Sequence, residues 1–91
     1  MATEAQTFRV RVHLFARAKE LAGGASFVDT ELIRGSTVGQ ARKALAAQVP
    51  ALAELLGSAS TALARNSDFA DDTDAVEDGD ELAVLPPVSG G

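Results

Sequence analysis

Hydrophobic positions change their period several times along this chain, and each change marks an element. In "FRVRVHLF" (8–15) Phe8, Val10, Val12 and Leu14 fall on one face, and Arg9, Arg11 and His13 on the other. That alternation predicts a half-buried strand. "ARAKELAGG" (16–24) predicts a helical turn or two, closed by glycines that suit a left-handed exit. "SFVDTELI" (26–33) alternates again and is expected to pair with the first strand through a loop rather than a tight turn.

"GSTVGQARKALAAQVP" (35–50) then takes helical spacing, with Val38, Ala41, Leu45 and Val49 along one stripe. Thr37 with Gln40 three residues later fits a capping box, and Pro50 stops the run. "PALAELLG" (50–57) predicts a second short helix, with Pro50 in its first turn and Gly57 just past its end. "TALARN" (61–66) reads as a short third strand, and Phe69 begins a fourth after a polar turn. An acidic loop with a turn at Asp78-Gly79 leads into "ELAVL" (81–85), the most apolar strand. It is expected to be buried on both faces and therefore central in the sheet. Pro86 and Pro87 end it by withholding backbone donors.

The order gives one main helix across a twisted mixed sheet, an α+β roll. Residues 1–7 carry no periodicity and are expected to be a disordered N-terminus. Residues 8–85 form the domain, and residues 86–91 an extended tail.

Composition narrows the function. The chain has 91 residues, 46% of them apolar, so it can build one core. Its four aromatics are all Phe, which leaves the core to Leu, Val, Ile and Ala. A net charge of −5 argues against nucleic acid, whose phosphates would be repelled, and permits a basic protein partner. With no cysteine there is no disulfide, thiolate metal site or cysteine nucleophile. No leader pattern and no apolar run of about 20 residues is seen, so a soluble cytoplasmic protein without membrane contact is expected.

Few residues offer chemistry. His13 is the single histidine and reads as an exposed strand residue rather than a catalytic or metal-binding one. The acidic stretch 68–81 lacks calcium-loop spacing and is either a solvated face or a docking surface for a basic partner. Gly23-Gly24 and Gly35-Ser36 fit no phosphate-loop pattern. No catalytic set can be assembled, so the domain is expected not to be an enzyme on its own, and no metal site is expected. Phe15 and Leu85 fall on the wrong parity for the core, and Phe69 follows a turn. They are a minor second core, scattered exposed hydrophobes, or a contiguous contact patch.

The chain finishes "LPPVSGG" (85–91). Pro86-Pro87 favours an extended backbone projecting from the sheet, and Gly90-Gly91 offers a carboxylate with no side chain to block a narrow channel. Together with "LFARAKELAG" (14–23) and "GSTVGQARKAL" (35–45), the segment "DGDELAVLPPVSGG" (78–91) resembles the ubiquitin-like sulfur carriers that form the small subunit of molybdopterin synthase. The resemblance implies a β-grasp fold, in agreement with the roll read from the pattern. It also implies an ATP-using activating enzyme that adenylates the Gly91 carboxylate, a sulfur donor that converts it to a thiocarboxylate, and a large subunit that accepts the tail. There the sulfur passes to a pterin precursor in molybdenum cofactor biosynthesis, and no cofactor stays bound to the carrier. Gly91 matches the sulfur-bearing residue and Gly90 the one that keeps the channel clear. Phe15, Phe69 and Leu85 match positions that pack against the large subunit, with Leu85 where the pattern has an aromatic. A carrier serving cysteine or thiamine thiazole, a protein modifier joined to lysines, and a binding module with an inert tail stay open.

Overall fold

The structure is a computed structural model and describes residues 6–87. Strand β1 spans Thr7–Leu14, one residue longer than the alternation indicates. Thr7 pairs with Ile33, so the loose end expected over residues 1–7 does not include it; backbone pairing carries the strand past its side-chain pattern. Residues 1–5 lie outside the described residues. Helix α1 (Ala16–Leu21) leads to Gly23 and Gly24, both at positive φ, and then to β2 (Phe27–Ile33), antiparallel to β1.

Helix α2 (Val38–Gln48) starts with the capping box its sequence predicts: Thr37 N–H donates to Gln40 Oε1 at 2.8 Å, and Gln40 N–H to Thr37 Oγ1 at 3.3 Å. Two further amide groups of its first turn find partners in the acidic loop. Val38 N–H donates to the Asp74 carbonyl at 2.8 Å and Gly39 N–H to the Asp72 carbonyl at 2.9 Å. A Cβ on Gly39 would lie 3.1 Å from that of Asp72, so glycine lets the loop come this close. The acidic stretch is thus partly structural: its backbone closes the start of the main helix. The second helix divides into a 3-10 turn (Pro50–Leu52) and α3 (Ala53–Leu56). Arg42 pins it by donating to the Leu56 and Thr61 carbonyls, each at 3.0 Å.

Strands β3 (Ala62–Arg65), β4 (Asp68–Ala70) and β5 (Glu81–Leu85) complete a sheet that has, among the described residues, the order β2-β1-β5-β3-β4. The β1–β5 pair is parallel and the others antiparallel. One face carries Phe8, Val10, Val12 and Leu14 with Leu32, Leu63, Leu82 and Val84, and α2 lies across it through Val38, Ala41 and Leu45. Leu52 and Leu56 close the end of this core. Each fully buried leucine contributes about 1.5–3 kcal/mol relative to exposure.

The last strand is central, as its apolar character predicts, but it is not buried on both faces. Leu82 and Val84 are buried, whereas Ala83 and Leu85 are only half-buried. The reason is architectural: the helices cover one side of the sheet, and the other side is left open.

Candidate functional site

The open face has a simple layout, set by strand register. Phe27 on β2, His13 on β1, Ala83 on β5, Ala64 on β3 and Phe69 on β4 form one transverse row, each the Cα partner of the next. One level further along, Leu85 pairs with Ala62. Small residues therefore occupy the middle of the row and phenylalanines its ends. The resulting groove is lined by His13, Phe15, Ala64, Glu81, Ala83 and Leu85 among others.

Phe15 owes its position to the backbone. Its φ of −130° and ψ of 155° continue the extended conformation of β1, which sends its side chain to the face opposite Leu14. Ala16 then turns the chain into α1 with a φ of 52°, a left-handed value that costs a non-glycine residue about 1–2 kcal/mol. Phe15 is 50% exposed.

Phe69 is carried by the β3–β4 hairpin. Asn66 and Ser67, with φ of 51° and 76°, form a two-residue turn of the kind whose twist suits paired strands. Asn66 N–H donates to the Glu81 carbonyl at 2.8 Å, and its side-chain oxygen accepts from Glu81 N–H at 2.9 Å. Asp80 accepts from Arg65 Nε at 2.7 Å, Asn66 Nδ2 at 2.9 Å and Glu77 N–H at 2.7 Å. Burial pushes the Asp80 carboxyl up, but the donors Arg65, Glu77 N–H and Asn66, with the Arg65 charge, outweigh it and hold it below the ordinary value. This clamp fixes the hairpin against the start of β5. Phe69 itself stands 79% exposed.

Phe15 and Phe69 are therefore not a second core. Phe15 and half-buried Leu85 share the groove, while Phe69 stands at its far side, beyond Ala64. Pro86 is half-buried and Pro87 exposed where the chain leaves the central strand. Gly90 and Gly91 lie outside the described residues.

His13 is better connected than an isolated strand residue. Its Nε2 lies 2.9 Å from Glu81 Oε1, and its ring meets Phe27 edge-on at 6.4 Å. Beside it, Arg11 stacks on Phe27 at 3.8 Å and donates through Nε and Nη2 to the two oxygens of Asp29, at 3.0 and 3.3 Å. These hydrogen bonds lower the Asp29 pKa and raise that of Arg11.

Two exposed apolar residues escaped the sequence reading: Phe27, 43% exposed, and Ile33, 68% exposed. The signal was present. With Thr30 and Leu32 facing the core, both residues have the parity of the open face. A larger hollow, about 820 Å³ against about 640 Å³ for the groove, lies between α2 and α3. Arg42 crosses it, already bonded to two carbonyls and Asp72, so size alone does not mark the site.

Residues 12–91 match the model of the ThiS family. The chain belongs to the ThiS family. Over 88 residues it is 34% identical to the molybdopterin synthase sulfur carrier subunit of Arabidopsis thaliana, covering 97% of this chain and 88% of that one. Among solved structures, SAMP1 from Haloferax volcanii, a small archaeal modifier protein, superposes with a TM-score of 0.82 at 36% identity, covering 91% of this chain and 99% of that one. The complex of subunits 1 and 2 of the molybdopterin-converting factor from Helicobacter pylori contains a chain that matches with a TM-score of 0.62 at 27% identity, covering 92% and 100%. The fold is thus a ubiquitin-like β-grasp. Among the described residues no helix is long and apolar enough to cross a membrane.

Proposed function

We propose that this protein is the sulfur carrier subunit of molybdopterin synthase, bearing sulfur as a thiocarboxylate on Gly91. The observation that carries this reading is the convergence of Phe15 and Leu85 in one groove at the end of β5 from which the tail leaves. A contact patch placed there docks the carrier and aims its tail in one act. Support comes from the family match, which extends through residue 91, and from the relatives named as molybdopterin synthase sulfur carrier subunits.

The chemistry belongs to the terminal carboxyl. With a pKa near 3.5 it is an anion at neutral pH and a poor electrophile. An activating enzyme transfers AMP to it from ATP, releasing pyrophosphate. Sulfide-level sulfur from a donor then attacks the carbonyl and expels AMP, leaving the thiocarboxylate. In the large subunit the sulfur forms a bond to carbon of the pterin precursor, and water cleaves the acyl–sulfur bond to restore the carboxylate. The carrier contributes no acid or base and holds no cofactor; ATP is consumed by its activating partner, in the cytoplasm. Sulfur transfer is an activity of the assembled synthase, of which this chain is the donating subunit.

Intact-mass measurement after incubation with an activating enzyme, ATP and sulfide tests this. The carrier gains the mass difference between sulfur and oxygen at Gly91, then loses it when the large subunit and pterin precursor are added. A second reading, a protein modifier, draws on the SAMP1 likeness. It predicts covalent conjugates on lysines of other proteins instead. Thiocarboxylate that forms but never discharges to the pterin keeps the carrier and overturns the molybdopterin assignment.

A further inference from the structure

We propose that the groove receives a segment of the large subunit that seats an apolar side chain on the Ala64–Ala83 floor and reaches Glu81 with a cationic one. This rests on the sulfur-carrier reading and goes beyond it by specifying the chemistry of the contact.

The floor and the carboxylate belong to the same face. Ala83 and Glu81 are two positions apart on β5, about 7 Å along the strand, so one short extended segment can touch both. Ala64 stands beside Ala83, and Phe15, Leu85 and Phe69 rise around the two alanines, leaving room for an incoming side chain.

The carboxylate is only half satisfied. Oε1 of Glu81 is taken by His13 Nε2 at 2.9 Å, and Oε2 accepts no hydrogen bond from the described residues. The Glu81 side chain is 66% exposed, so water serves it while the face is open. An apolar lid over the groove removes that water. A carboxylate oxygen stripped of water without a donor opposes docking, so the lid must bring a donor with it.

Among the described residues no lysine or arginine donates a hydrogen bond to Glu81. Arg11, the Cα partner of Glu81, lies near enough for the two charges to attract, but it donates its hydrogen bonds to Asp29 and stacks on the Phe27 ring. From residue 68 to 81 there are eight acidic residues and no lysine or arginine. Arg42 and Arg65 engage Asp72 and Asp80 within that stretch, and neither is bonded to Glu81. The groove therefore ends at a carboxylate oxygen without a hydrogen-bond donor, which a partner's cation can supply, and such close interfacial charge pairs act mainly on dissociation.

The test measures binding of the full carrier to the isolated large subunit of molybdopterin synthase by surface resonance, with melting temperatures taken alongside. Glu81→Gln keeps an oxygen for His13 but removes the charge. It is expected to bind at least about tenfold more weakly at low salt, through faster dissociation, with the gap narrowing at high salt. Glu54→Gln, the same charge change at an exposed position on α3, should dissociate as the wild type does. Equal dissociation of Glu81→Gln and wild type, or equal weakening by Glu54→Gln, overturns the proposed contact and leaves the functional reading intact. A wild-type carrier that does not bind the large subunit overturns both.

Discussion

Arg65 Nε lies 2.7 Å from Asp80 Oδ2, joining the hairpin that presents Phe69 to the start of the strand that ends in the tail. The Asp80 side chain is only 11% exposed and has two further donors in Asn66 and Glu77 N–H. Asp80→Asn should therefore destabilise the fold by about 2 kcal/mol at neutral pH, since a charged, multiply bonded acceptor is lost. The sign with pH follows from its lowered folded pKa. Its contribution is complete above the unfolded value of about 4 and is lost as pH falls through the lower folded value. Urea midpoints of both proteins, measured from about pH 7 downward, should draw together as pH falls below about 4. A gap independent of pH would remove Asp80 from the acid response.

Phe69 separates binding from folding best, because it is 79% exposed on a three-residue edge strand. Phe69→Ala is expected to leave the melting temperature nearly unchanged while weakening large-subunit binding by about 2 kcal/mol, roughly 30-fold. Phe15→Ala and Leu85→Asp should act in the same direction, with some loss of stability at half-buried Leu85. Equal losses of stability and binding would make these residues structural instead.

Much of this architecture is legible in the sequence because period and parity are local. The Phe8–Leu14 alternation, the Thr37–Gln40 cap and the central last strand could all be read directly, as could the displaced parity of Phe15 and Leu85. What could not be read depends on register between distant strands. Alanine carries no pattern, and only the pairing of Ala83 with both His13 and Ala64 turns two alanines into a groove floor. The His13–Glu81 contact spans 68 positions of sequence and has the same origin. The structural share of the acidic loop was hidden because it acts through its backbone carbonyls rather than its charges.

Thr30 offers a stabilising change on the core side of the sheet. It is 1% exposed, pairs with Val10, and its hydroxyl has no hydrogen-bond partner. A buried hydroxyl without a partner costs about 1–3 kcal/mol. Thr30→Val keeps the branching and shape, so stability should rise by about 1 kcal/mol and the melting temperature by roughly 4–8 °C. Partner binding should not change, because this side chain lies beneath the sheet. A lower melting temperature would show that the hydroxyl is served by a buried water.

The tail should behave in the opposite way, essential to function and dispensable to the fold. Among the described residues Val84 is the last buried one, and Pro86 and Pro87 after it are half-buried and exposed. Removing Gly91, or adding one residue after it, should therefore leave the melting temperature unchanged. Sulfur loading should be lost in both variants. Adenylation needs the terminal carboxylate at one fixed point, and the spacer of one strand end, two prolines and two residues sets that reach; a displacement of one residue, about 3.5 Å, removes the proximity on which the step depends. Intact mass after incubation with the activating enzyme, ATP and sulfide reads the outcome directly. A thiocarboxylate on either variant would show that the activating site tolerates a shifted terminus, and the functional assignment of Gly91 would be wrong.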